Sequence, residues 1–217
     1  LKQVATHLTT NKRVPCLLKS CHVRRAELLN SLGTAPKFFK TDWRLVSGLG
    51  MGHVLGAGFV WHKTLGVPYL PGSSVKGLMR AWAEQWGGAS SAEVKRLFGP
   101  RGEEAQTSPD TGSLIVFDAI PVGSVKLEVD IMNPHYAPYY KDNLKPPADY
   151  YSPRPIFFLT VAPGVEFSFA LASRTRNNND VESGFKLLTE ALTTIGAGGK
   201  TAVGYGYFNP VVIPERT

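Results

Sequence analysis

Two cations, Lys76 and Arg80, stand four residues apart directly after the turn Pro71-Gly72-Ser73-Ser74, where an apolar-periodic run begins. The first turn of a helix carries unpaired backbone N–H groups and favours carboxylates, so two cations there oppose both the dipole and each other. A phosphate at the helix N-terminus reverses both penalties. The turn therefore reads as a candidate anion site. Ser73 or Ser74 would be the N-cap, Gly72 would admit a close backbone, and Pro71 would stiffen it. The competing reading is a solvated face, with Arg80 paired to Glu84 four residues on.

A second candidate is Lys200, set among Gly196, Gly198, Gly199, Gly204 and Gly206. Such a loop can bring backbone N–H groups up to phosphates, or can be only a tight turn from helix to strand. "GGKT" resembles the end of a P-loop, but that motif needs a glycine where Thr194 stands, and the order here is helix, loop, strand rather than strand, loop, helix. His53 lies in another glycine-rich stretch, Gly48 to Phe59. His62 and His135 have no carboxylate or cysteine at ligand spacing, so no metal site and no cofactor is expected.

These groups need elements to hold them. Val75, Leu78, Met79, Trp82 and Trp86 form one apolar stripe of a helix running from Pro71 to about Trp86, with Lys76 and Arg80 on a different face. "SAEVKRLFG" predicts a short helix ending at Gly99, followed by a polar loop, "RGEEAQTSPDTG". "CLLKSCHVRRAELLNSL" has helical spacing at Leu17, Leu18, Cys21, Ala26 and Leu29 before Gly33. "DWRLVSGLG" alternates as a strand, with Trp43, Leu45 and Ser47 on one side. "SLIVFDAIP" and "VKLEVDIM" are strand-like, and "IFFLTVAPG" with "VEFSFALAS" forms a strand pair around Pro163-Gly164. "NNNDVESGFKLLTEALTTIG" is a capped helix with Phe185, Leu188 and Leu192 on one face, and the glycine loop after it feeds a last strand. Between them, residues 133–155 carry six prolines and five tyrosines, a long Pro/Tyr-rich insertion. The order β, α, β, β, insertion, β, β, α, β predicts an α+β fold: a ferredoxin-like, RRM-like antiparallel sheet with helices on one face, or two fused βαβ halves.

The chain has 217 residues, and Lys plus Arg outnumber Asp plus Glu by 24 to 17, a net charge of +7. That excess favours an anionic partner, with nucleic acid ahead of an anionic membrane. Two cysteines, Cys16 and Cys21, make neither a disulfide framework nor a zinc site and suit a reducing cytoplasm. No apolar run approaches a membrane span or a signal peptide.

"PYLPGSSVKGLMRAW" and "GAGGKTAVGYGYF" together resemble the signature of the RAMP superfamily, the RNA-binding repeat-associated proteins of CRISPR systems, and "GSLIVFDA" resembles its strand after the first helix. "GLGMGHVLGAGFVWHKTLGVPYLPGSSVKG", "DIMNPHYAPYY" and "SPRPIFFLTV" resemble the subunit-six branch of the type III-B (Cmr) effector complex. The resemblance runs from about Trp43 to Phe208. It divides the chain into a basic, partly helical N-terminal extension, 1–40, and a RAMP domain, 41–217, interrupted at 133–155.

The resemblance implies a cytoplasmic antiviral ribonucleoprotein. Within it this chain would be a non-catalytic, backbone-type subunit near the 3′ part of the guide RNA, contributing to target RNA recognition. Its neighbours would be the repeated backbone subunit, the small helical subunit and a terminal backbone-type subunit. The implied RNA contacts are His53, Lys63, Ser73, Ser74, Lys76, Arg80, Gly198, Gly199 and Lys200. Tyr139, Tyr140, Lys141 and Arg154 join them as aromatics interleaved with cations, a pattern that suits RNA stacking or docking on a neighbouring subunit. Arg174 and Arg176 would touch RNA or cover a solvated loop. Sister subunits that cut RNA use an aspartate in the loop after the first strand; from Gly48 to Lys63 this chain has no carboxylate. The rival is a metal-independent endoribonuclease with His53 as general acid or base and Lys76 or Lys200 steadying the phosphate.

Overall fold

A computed structural model describes residues 1–10, 13–52, 58–107, 110–134, 139, 146, 152–153 and 155–212. The element order is α1 (Lys2–Thr9), α2 (Arg13–Ser31), β1 (Lys37–Thr41), β2 (Trp61–His62), β3 (Val67–Pro68), α3 (Gly72–Gln85), α4 (Ser91–Phe98) and α5 (Glu103–Thr107). It continues with β4 (Leu114–Val116), β5 (Ile120–Pro121), β6 (Leu127–Met132), β7 (Ile156–Val161), β8 (Glu166–Phe169), β9 (Leu171–Ser173), α6 (Asn178–Thr194) and β10 (Phe208–Pro210). The fold is α+β with antiparallel pairing throughout the described strands, as the sequence predicts.

The central sheet has the order β10-β1-β8-β5. Its register places Phe39 opposite Phe167 and Thr41 opposite Phe208. Phe39, Phe167, Phe169 and Phe208 are fully buried and meet edge to face, with ring centroids 5.3 Å apart for Phe39–Phe169 and 5.7 Å for Phe167–Phe208 and Phe169–Phe208. Edge-to-face pairs add to the area these rings bury. Helix α6 buries Phe185, Leu188 and Leu192 and packs on α3, β9 and β10. It starts cleanly because the Asn177 side chain accepts from the Asn179 N–H and Asp180 sits in the first turn. Ser90 caps α4 in the same way, and Gly99 ends it at φ 87°.

Several expectations differ from the structure. The strand at the first position is Lys37–Thr41, not the segment beginning at Trp43. Leu45, Val46 and Ser47 are buried in a row, and Leu45 makes only an isolated bridge to Val161. That stretch is clamped between β7 and the glycine loop, so alternation there did not mean a half-exposed strand. The boundary expected after residue 40 falls inside β1. β7 and β8 flank the Pro163-Gly164 turn but pair elsewhere, β7 with β6 and β8 with β1 and β5. The polar loop after Gly99 contains a short helix, α5. In α2 the buried residues are Val14, Leu18 and Leu29, whereas Leu17 and Ala26 are exposed. His22 Nε2 reaches the Pro121 carbonyl at 2.8 Å and ties α2 to β5. The Pro/Tyr-rich insertion expected at 133–155 falls between β6 and β7 in sequence and lies mostly outside the described residues.

Candidate RNA interface

The start of α3 sits against the end of β4 and the link from it to β5, with Leu70 bridged to Ala119. A Cβ on Gly72 would overlap the Val116 carbonyl oxygen, so only glycine fits there. The helix begins at Gly72 with Pro71 as N-cap, not at either serine. The Gly72 N–H donates to Asp118 Oδ1 at 2.6 Å. A carboxylate from the β4–β5 link, 46 residues away, thus occupies the positive helix end that the sequence left for an external anion. Its sequence signal was slight: one acid at the end of the apolar run "SLIVFDAIP".

The glycine loop folds back onto the Arg44–Val46 stretch. Gly199 N–H donates to the Val46 carbonyl at 2.7 Å, Gly206 N–H to the Arg44 carbonyl at 2.8 Å, and Ala197 N–H to the Gly206 carbonyl at 2.8 Å. Gly198 lies at φ +88°, and a Cβ there would overlap the Val46 carbonyl. These N–H groups are spent inside the protein, so the glycines serve first to let the loop dock.

The two motifs nevertheless face one another. A cleft of about 790 Å³ has Pro71, Ser74, Leu78, Gln85 and Trp86 on one wall and Gly196, Ala197, Gly198, Gly199 and Thr201 on the other. Ser47 to Gly50, Val60 and Leu70 complete it. Ser74, Leu78, Ala81 and Gln85 share one face of α3. Lys76 and Arg80 project from the opposite side, about 200° from Ser74 for Lys76 at about 100° per residue. The cations and the glycine loop therefore do not form one phosphate cradle.

Arg80 follows the competing reading. Its Nε donates to Glu84 Oε1 at 2.7 Å, and Glu84 also holds Arg101 at 3.0 Å. Among the described residues Lys76 has no hydrogen-bond or ion-pair partner. Burial, then the neighbouring charges of Arg174 and Arg80, lowers its ammonium from the ordinary lysine value. Lys76, Arg80 and Arg174 thus make an electropositive patch, with Arg174 exposed in the turn after β9. Arg176 is exposed beside it at φ 55°. Lys63 is exposed at the tip of the β2–β3 hairpin, and Ser73 is exposed at the start of α3. Tyr139 is 38% exposed. His53, Tyr140, Lys141 and Arg154 lie outside the described residues.

Sequence reasoning missed the network that anchors the glycine loop. Arg44 donates to Glu128 Oε2 and Asp130 Oδ2, both at 3.0 Å, and the Tyr205 hydroxyl donates to the same Asp130 oxygen at 2.5 Å. Burial and then the Asp130 bond push the Tyr205 hydroxyl up to about 12. Burial works against the Asp130 charge, but Tyr205, the Ile131 N–H and Arg44 hold it below its ordinary value. Bonds from Lys126 and Arg44 lower Glu128 as well. The Lys200 ammonium sits 5.7 Å from the Phe158 ring centroid and 5.9 Å from that of Tyr205. Lys200 is thereby drawn toward this network, itself at φ 61°.

Among the described residues no cluster of His, Cys, Asp and Glu could hold a metal ion. Among them, too, no helix is long and apolar enough to cross a membrane.

Comparison with known proteins matches residues 38–209 to the sequence model of the RAMP superfamily. The chain is 32% identical to the CRISPR system Cmr subunit Cmr6 of Pyrococcus furiosus, covering 88% of this chain and 72% of the relative. It is 29% identical to the Cmr6 subunit of Saccharolobus solfataricus, covering 84% of this chain and 60% of the relative. Among solved structures it is similar to a chain in a cryo-EM structure of the type III-B Cmr-beta complex bound to cognate target RNA. That match has 26% identity and a TM-score of 0.68, over 94% of this chain and 66% of that one.

Proposed function

Because this chain belongs to the RAMP superfamily and to its Cmr6 branch, we propose that it is an RNA-binding structural subunit of a type III-B CRISPR effector complex. In this role it contacts guide RNA toward its 3′ part, contributes to target recognition, and is not itself a nuclease. Its partners are RNA and the adjoining backbone and small helical subunits, in a ferredoxin-like RAMP domain.

The observation that carries the reading is the cleft that brings the PGSS helix start and the glycine loop face to face. Two motifs more than a hundred residues apart in sequence converge on one surface without any acid–base pair between them. The Lys76–Arg174 patch, where charges repel in the free chain, supplies a place for phosphate. Asp130 and Glu128 are engaged by Arg44, and Tyr205 keeps its proton at neutral pH, so these three groups stand as structural rather than acid–base residues.

The test is RNA affinity across salt for the wild type and Lys76→Ala/Arg174→Ala. Loss of two phosphate contacts lowers the slope of log affinity against log salt by about 1.4, at about 0.7 per contact on single strands. Arg80→Ala, whose guanidinium is held by Glu84, leaves the slope close to the wild-type value. An unchanged slope in the double variant would remove the patch from the RNA interface. Incubation with guide and target RNA in EDTA addresses the nuclease alternative: specific cleavage lost in His53→Ala would replace this reading with the catalytic one.

A further inference from the structure

Trp86 lies at the end of α3 and is 57% exposed, although helical spacing from Val75 predicts a core position. The helix buries Val75, Met79 and Ala83 instead, and the stripe turns away from the core at its last turn. Trp82 is fixed beneath it. The Trp82 indole N–H donates to Glu190 Oε2 at 2.9 Å, and Gly87 folds back so closely that a Cβ there would lie 3.1 Å from the ring. Trp86 stacks on this anchored ring, with centroids 5.9 Å apart and planes 25° from parallel. The result is a pre-oriented indole at the rim of the 790 Å³ cleft.

The cleft has a second property. None of its described lining residues carries a charge: Leu49, Val60, Leu70, Leu78 and Ile195 are apolar, and Ser74, Gln85 and Thr201 are neutral hydrogen-bonding groups. A phosphate entering it would lose water without meeting a cation. A nucleobase is flat, largely apolar on its faces and polar at its edges, and suits both the indole and the neutral lining.

We propose that Trp86 is a stacking platform that seats an unpaired RNA base in this cleft, while the phosphates stay outside it with the cations of the surface. The cleft then acts as a sequence-tolerant base pocket, with Ser74 and Gln85 bonding base edges. This rests on the RNA-binding reading given above, and it divides the labour: stacking at the cleft rim where α3 ends in Trp86, phosphate contact at the Lys76 side near the helix start.

Fluorescence anisotropy of the full chain with labelled single-stranded oligoadenylate tests it, using the wild type, Trp86→Ala and Trp86→Phe, each checked for an unchanged thermal transition. Trp86→Ala should weaken binding about 5- to 140-fold, the range that base–aromatic stacking supplies. Its salt slope should stay unchanged, because no phosphate contact is lost. Trp86→Phe, which keeps an aromatic face, should retain most of the affinity. Wild-type binding that Trp86→Ala leaves intact overturns the platform and spares the RNA-binding reading. If that variant instead fails only to assemble with the other effector subunits, the cleft seats a neighbour's side chain and the proposal falls. No RNA binding by the wild type overturns the RNA reading and the platform with it.

Discussion

A tyrosine hydroxyl holds a carboxylate only while it keeps its proton, and the Tyr205–Asp130 bond therefore carries a pH signature. Tyr205 is raised to about 12 from 10.0, so between these values the folded chain binds more protons than the unfolded one. Its contribution is complete below about pH 10 and is lost as the pH rises toward about 12. Tyr205→Phe should cost about 1–2 kcal/mol at neutral pH, the worth of a hydrogen bond to a charged group still held by Arg44. It should also flatten the alkaline limb of a denaturant-derived stability profile. Asp130 and Glu128 act in the opposite direction: both are depressed, so their contribution is full above the ordinary carboxylate range and drains away as acid is added below it. Lys76 differs again. Its lowered ammonium means that folding works against its charge at neutral pH, and stability recovers only as the pH climbs toward the ordinary lysine value. Lys76→Gln should accordingly hold or raise the melting temperature, by up to about 0.5 kcal/mol of stability, while weakening RNA binding. A variant that loses both would mean that Lys76 serves the fold.

At the scale of elements, two glycines of the recognised motifs answer to different rules. Gly198 is at φ +88° against the Val46 carbonyl, so Gly198→Ala adds left-handed strain to a backbone overlap and should cost more than about 2 kcal/mol in urea unfolding. Gly77, exposed in the middle of α3 with open space around it, should gain about 0.5–1 kcal/mol on replacement by alanine, through helix propensity alone. Equal effects at the two sites would contradict the docked loop. The same contrast separates what the sequence discloses from what it hides. Local rules placed α3, α4 and α6, because Ser90, Asn177 and Gly99 mark ends within a turn of the residues they serve. Local rules failed where a partner lies far along the chain. The strand Lys37–Thr41 carries the doublet Phe38-Phe39, which masks alternation, and only Phe167 and Phe208 across the sheet reveal its pairing. Pro163-Gly164 suggests a hairpin, yet β8 pairs with β1. Asp118 could not be assigned to the α3 N-terminus from spacing, since that bond spans 46 residues. The helical period did put Lys76 and Arg80 on a face of their own; which face the glycine loop meets is set by tertiary packing.

At the scale of the whole molecule, the proposed RNA-binding role divides into two kinds of contact, one set by the net charge of +7 and one by the uncharged described lining of the cleft. Cations gather on one side of α3 and beyond β9, and apolar surface lines the other side. Charge sets how affinity depends on salt, and stacking sets how much affinity survives when salt is high. Among the described residues the two surfaces share no side chain and no hydrogen bond, so their contributions should be separable. A double-mutant cycle between Lys76→Ala and Trp86→Ala, read as RNA affinity at one salt concentration, should close within about 0.5 kcal/mol, as independent sites do. At higher salt the Lys76→Ala effect should shrink while the Trp86→Ala effect persists. A coupling above about 1 kcal/mol would instead mean that one nucleotide bridges both faces at the helix start, and the single-cradle geometry suggested by the sequence would return.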